Sequence, residues 1–238
     1  MHAPSRQTTA GLLVVLAAAS GCLDVICLTR LNGYFASVIT GNLVQFGHAI
    51  ATANARSLAG AVAAVGGYAL GVAGATLPLR HGGPGWNRRT AVVAAAEAVL
   101  LLGFTAGWLG CAARPGYAAG LVLLGVASVA SGMQSVITIG AGIRGASTTY
   151  LTGSLTNMVR RRVLDPHRFA DVGGLGRLAG LVGGAVLGTV VLRLAPTWAP
   201  ALAAALVVAV VAVAVGLTRR AVAAVPQSPD RDRPSSRP

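Results

Sequence analysis

Few residues in this chain can do chemistry, and most of them sit inside apolar stretches. Asp24 lies in the middle of the run from 10 to 31, and Glu97 is the other acid well inside such a run. A charge at the centre of a bilayer costs about 2.5–3.5 kcal/mol on insertion scales, so it faces a cavity or a partner. For Asp24 two readings weigh equally: handling of an ion or solute, or a hydrogen-bonded carboxyl tying helices together. For Glu97 an ion pair with Arg88 or Arg89 is the plainer expectation.

Two segments, 34–52 and 147–163, concentrate hydroxyl and amide groups around a glycine: Thr40, Gly41 and Asn42 in the first, Thr152, Gly153 and Ser154 in the second. Such groups can line a pathway or bridge helices, and Gln134 and Ser135 share both readings. His48 and His167 stand alone. Cys22, Cys27 and Cys111 have no paired spacing, so no metal site, cofactor or disulfide framework is expected. No phosphate-binding loop, HExxH or GxSxG motif occurs, and GGLGRLAG at 173–180 precedes an apolar helix instead of following a strand. An enzyme is not expected.

The elements that carry these residues follow from composition. Of 238 residues 54% are hydrophobic and 11% charged, against about 25% charged in soluble domains, and mean hydropathy is +0.69. A hydrocarbon core about 30 Å thick needs roughly 20 apolar residues per helix. Six stretches qualify, at 10–31, 58–79, 91–111, 117–141, 175–194 and 199–217. The two TG-containing segments are less apolar and read as re-entrant or broken helices. The expected fold is therefore all-α and integral to a membrane, with six transmembrane helices plus two TG elements.

The net charge of +13 comes from nineteen cations, all arginine, which fall mainly between the spans and in the tail. They set topology and do not imply nucleic acid. With six crossings and an inside N-terminus, only Arg30, Arg56, Arg114 and Arg193 lie outside; all the others except Arg177, within a span, lie inside. Eight crossings separate the charges less well. On this count residues 1–9 and the tail 219–238 are expected to be cytoplasmic, the tail disordered by its Pro, Ser and charge content. Arg6 and Ala19-Ser20-Gly21-Cys22 mimic a secretory signal, but apolar residues continue past Cys22 and a retained span is expected. Trp108, Tyr117 and Trp198 are expected near outer boundaries and Trp86 near an inner one.

A shift of 112 places Thr40-Gly41-Asn42-Leu43 on Thr152-Gly153-Ser154-Leu155 and Gln45 on Asn157. The membrane domain 10–218 thus reads as two halves, about 10–112 and 113–218. Three crossings per half invert the second copy, an arrangement that places transporter sites at the midplane. On that logic Gly41 and Gly153 should approach each other. Small residues also recur every fourth position: Ala63, Gly67, Gly71 and Ala75 in the second span, Gly176, Gly180, Gly184 and Gly188 in the fifth. These stripes read as close helix packing, either of the two spans on each other or in a homo-oligomer.

G-x-x-D in the first span, F-A-S-x-x-T-G-N-L after it, and G-M-Q with T-T-Y-L-T-G-S-L in the second half resemble the YoaK-like family of uncharacterised bacterial multipass membrane proteins, a domain of unknown function. The resemblance covers roughly 10–218. It implies a membrane fold, without a substrate or catalytic residues. Beside the lipid bilayer, the expected partner is an unknown small solute or ion moved by a transporter or channel; the alternative is a non-transporting scaffold or partner-binding protein.

Overall fold

Polar caps and apolar length decide where the helices begin and end. In a computed structural model that describes residues 6–83, 85–141, 151–164 and 171–223, eight α-helices form: α1 (Arg6–Arg30), α2 (Ile39–Ala51), α3 (Ala55–Leu79), α4 (Arg88–Gly110), α5 (Tyr117–Gly140), α6 (Leu151–Leu164), α7 (Val172–Leu194) and α8 (Ala199–Ala223). A short 3-10 turn, Pro196–Trp198, leads into α8. Asn54 caps α3 by accepting from Ser57 N–H, Asn87 caps α4 from Arg89 and Thr90 N–H, and Asp171 caps α7 from Gly174 N–H. These caps start the second, third and fifth spans three residues earlier than hydropathy alone places them. Likewise α1 begins at Arg6, inside the stretch read as a cytoplasmic N-terminus, and α8 continues to Ala223, inside the stretch read as a disordered tail. Residues 224–238 lie outside the described ones.

Six of these helices are long and apolar enough to cross a membrane. Helix α2, with 13 residues, and α6, with 14, are about 20 Å long at 1.5 Å per residue, well short of a bilayer core.

Helix directions follow from which ends meet. A Cβ added at Gly180, Gly184 or Gly188 of α7 would meet Val14, Ala18 and Cys22 of α1 in the same order, so α1 and α7 run parallel. Gly67 and Gly71 of α3 face Gly125 and Val129 of α5 in the same way. The α4–α5 pair is an antiparallel hairpin, with Gly107 against Leu123. Arg30 at the end of α1, Arg56 at the start of α3 and Tyr117 at the start of α5 line one cavity. Helix α3 therefore starts at the face where α1 ends, and α2 returns to the face it came from. Helix α7, parallel to α1, starts where α5 ends, and α6 does not cross either. We call the two faces the α1-exit and α1-entry faces.

The small-residue stripes do not pack on each other, as the sequence reading had offered. Gly71 is closed by the backbone of Val129, Gly184 by the backbone of Ala18, and in return Gly132 of α5 by Tyr68 and Gly21 of α1 by Leu181. Gly67 leaves a would-be Cβ 2.7 Å from Gly125 O, and Gly180 leaves one 2.7 Å from Val14 O, with Gly176 against the Val14 side chain at 3.2 Å. Without a hydrophobic driving force between helices in lipid, this backbone-on-backbone contact supplies the van der Waals attraction. A stripe announces close approach but not the partner. Here each pairs across the halves, α3 with α5 and α7 with α1, and α3 makes no contact with α7.

Two tryptophans near helix ends are turned into the protein. Trp108 is fully buried, stacks on Phe104 with ring centroids 6.3 Å apart, and donates from Nε1 to Pro196 O at 2.9 Å, joining the end of α4 to the start of α8. Trp86 is buried as well. Tyr117 and Trp198 keep exposed positions near helix starts.

Candidate intramembrane polar site

Non-helical backbone at membrane depth must find partners inside the protein. The link 31–38 between α1 and α2 is non-helical, and side chains satisfy it from within the protein. Asp24, buried in α1, accepts from Ser37 N–H at 2.8 Å on Oδ1 and from Ser37 Oγ at 2.5 Å on Oδ2. Asn42, buried in the first turn of α2, donates from Nδ2 to Phe35 O at 2.8 Å and accepts from Phe35 N–H on Oδ1 at 3.0 Å. One amide thereby does for Phe35 what a neighbouring β-strand would do. Gln45 donates to Gly33 O at 2.9 Å, and Tyr34 donates to Ser57 O at 2.6 Å, closing the link onto α3. Asn32 and Gly33, with φ of 63° and 85°, make the left-handed turn that sends the chain back inward.

Thr40 is exposed, and Gly41 is half-buried with the Phe35 ring 3.5 Å from a would-be Cβ, an ordinary contact. Helix α2 begins at Ile39, so the bend lies in the link before Gly41 and not at it. The two TG elements also do not meet: α2 packs on α3 and α6 on α7, with no contact between α2 and α6 among the described residues. The expected approach of Gly41 and Gly153 is thus not made, because each element leans on the third helix of its own half. In α6, Thr152 is exposed and Gly153 and Ser154 are half-buried; the start of that segment, 147–150, lies outside the described residues.

A second polar tie spans the halves. Gln134 of α5 donates from Nε2 to Leu16 O at 2.7 Å and accepts from Ser20 Oγ on Oε1 at 3.3 Å. Ser135 is buried beside it, and its carbonyl accepts from Thr138 Oγ1 at 2.9 Å. Asp24 and Gln134 therefore do separate jobs, one holding the re-entrant link and the other joining α1 to α5.

Glu97 is different. It has no solvent exposure, and among the described residues neither Oε1 nor Oε2 has a hydrogen-bond partner. The expected pairing with Arg88 or Arg89 is not made. Nine residues of helix put Glu97 about 13 Å of rise beyond Arg88, and Arg89 instead reaches Pro78 O at 3.3 Å. On α5, Ser128 Oγ and Ser131 Oγ are also buried without partners. A buried polar atom left unsatisfied costs about 1–3 kcal/mol, more for a charged one. Among the described residues, Glu97, Ser128 and Ser131, like Trp86 Nε1, hold hydrogen-bonding capacity that the protein itself does not use. Motif spacing gave no signal for them, since a single acid and two serines on separate helices form no pattern; the signal was an acid inside a span. Sequence reasoning also left Arg177 without a role; it is buried in the second turn of α7, near Asp171 at the helix start.

The family model described as "Protein of unknown function (DUF1275)" matches residues 12–213, most of the chain, running from the second turn of α1 into α8. The chain belongs to the DUF1275 family. No curated protein and no solved structure matches. The DUF1275 match therefore takes in the Asp24 clasp, the Gln134 tie and Glu97, all on one membrane-type helical domain, and brings no activity with it.

Proposed function

We propose that this DUF1275 protein is a transporter or channel for a small solute or ion in a bacterial inner membrane, related to the YoaK-like proteins. The observation that carries the reading is Glu97: a carboxyl inside a span, fully buried, with both oxygens unpartnered. Ionisable groups in that position mark substrate or ion pathways by default, because their cost is otherwise unrecovered. Two features support it. The first half runs antiparallel to the second, α1 against α5 and α3 against α7, which is the frame of inverted-repeat transporters. A re-entrant element, α2, enters from the α1-exit face, as the broken elements of such proteins do.

In this reading Glu97, Ser128 and Ser131 are the groups that meet the solute, while Asp24, Asn42 and Gln134 hold the walls. No catalytic step is assigned and no cofactor is invoked. The arginine distribution supports an α1-entry face in the cytoplasm, with both termini there. Flux into proteoliposomes against a broad panel of ions and small solutes is the test. At least one solute should enter faster than into empty vesicles, and Glu97→Gln should slow it at least tenfold while the protein stays folded. Absence of flux across the panel, or flux indifferent to Glu97→Gln, would reject the reading.

One observation favours the alternative, a scaffold whose polar residues only tie helices. Asp24, Asn42 and Gln134 already spend their hydrogen bonds inside the protein. A scaffold would tolerate Glu97→Leu with unchanged or greater stability and full partner binding, since an apolar replacement removes an unpaired polar group.

A further inference from the structure

At the α1-exit face a cavity of about 330 Å³ lies between the end of α1 and the starts of α3 and α5. Arg30 and Arg56 both line it, together with Asn32, Asn54 and Tyr117, and no acidic residue does. Among the described residues Arg30 makes no hydrogen bond or ion pair. Arg56 is held in place by the Tyr117 ring, 5.4 Å from its guanidinium carbon to the ring centroid, while Tyr117 Oη donates to Arg56 O at 3.0 Å. That contact orients the guanidinium without neutralising it.

The backbone adds positive potential from two directions. Helix α3, 25 residues long, starts at Ala55, and α5, 24 residues long, starts at Tyr117. The N-cap of α5 is Gly116, which has no side chain to accept from the first-turn N–H groups, and that turn, from Gly116 to Gly120, lines the cavity. Each helix start carries roughly half a positive charge. Two guanidinium groups, two helix starts and no carboxylate are the chemistry that recognises an oxyanion, with arginine able to bind it bidentately.

We propose that this cavity is a binding site for a small oxyanion, a phosphate or carboxylate group, carried either by a free anion or by an anionic lipid headgroup. The site is independent of the transport reading and stands whether or not a solute crosses.

The full chain in non-ionic detergent is titrated with inorganic phosphate at constant ionic strength, with chloride as the control, and thermal unfolding is followed. Saturable protection by phosphate beyond that of chloride is expected, with Arg30→Gln and Arg56→Gln each weakening it at least tenfold. Arg88→Gln, on the opposite face, should leave it unchanged. Native mass spectrometry after exposure to phosphatidylglycerol distinguishes the sources: a headgroup site retains one lipid that both substitutions release, whereas a free-anion site retains none. Because Arg30 is exposed at the end of α1 and makes no hydrogen bond or ion pair among the described residues, Arg30→Gln reports on binding even if Arg56→Gln impairs folding. Neither phosphate protection nor lipid retention, or both persisting in Arg30→Gln, would overturn the proposal.

Discussion

The two TG elements align in sequence yet bring different side chains to their surroundings. In the first half, Asp24 and Asn42 give four hydrogen bonds between them to Ser37 and Phe35, and α2 is fixed against α3. In the second half the shift of 112 puts Ser154 in the register of Asn42. A serine hydroxyl donates once and cannot bracket a peptide group as an amide does. Helix α6 is also more polar, with Arg160, Arg161 and Arg162 exposed along it. The small-residue stripes, by contrast, serve both halves alike. The parts α1–α4 and α5–α8 thus use alike glycine contacts and differ in the short helix each carries.

The largest expected effect tests the shared part. Gly71→Leu and Gly184→Leu each force a side chain into a neighbouring backbone, at Val129 and Ala18 respectively, and overpacking costs about 3 kcal/mol or more at such sites. Equal losses in thermal stability are expected. A large loss in one and none in the other would show the frame to be asymmetric too.

Next is Asn42→Ser, which installs the second half's residue in the first. It strands the N–H or C=O of Phe35, and about 2 kcal/mol of stability should go, read by thermal unfolding in detergent. Asp24→Ser cuts the other end of the clasp. It leaves at least one Ser37 donor unmet, for about 1–2 kcal/mol, and protease access to the 31–38 link should rise. The smallest effect is at Gly41. Gly41→Ala places a methyl 3.5 Å from the Phe35 ring, and the better helix propensity of alanine should leave stability unchanged or raised by up to about 1 kcal/mol. A clear loss there would return the bend to the TG motif itself.

Much of this was legible in the sequence, for reasons the residues make plain. The six spans and the two shorter elements follow from apolar length, a property of each segment alone. Partners are properties of pairs. The glycine stripes of α3 and α7 predicted close approach, but α5 and α1 receive them through Gly132 and Gly21, single glycines in no four-residue rhythm. Asp24 stood out as an acid in a span; that it clasps Ser37, thirteen residues on, depends on the link folding back, which hydropathy does not encode. Thr40 looked like part of a polar cluster, yet one helical position from Gly41 is enough to turn it outward. Glu97 was read as an ion-pair partner because arginines were near in sequence, and helical rise separates them.

The central claim is that α2 leaves and returns to one face while the halves run antiparallel. Single cysteines at Thr29, Thr52 and Arg114, and another at Gly83, on a background lacking Cys22, Cys27 and Cys111, test it with a membrane-impermeant thiol reagent in sealed vesicles. The account predicts that positions 29, 52 and 114 label from one side and position 83 from the other. Labelling of 29 and 52 from opposite sides would mean that α2 crosses the membrane, and would contradict it.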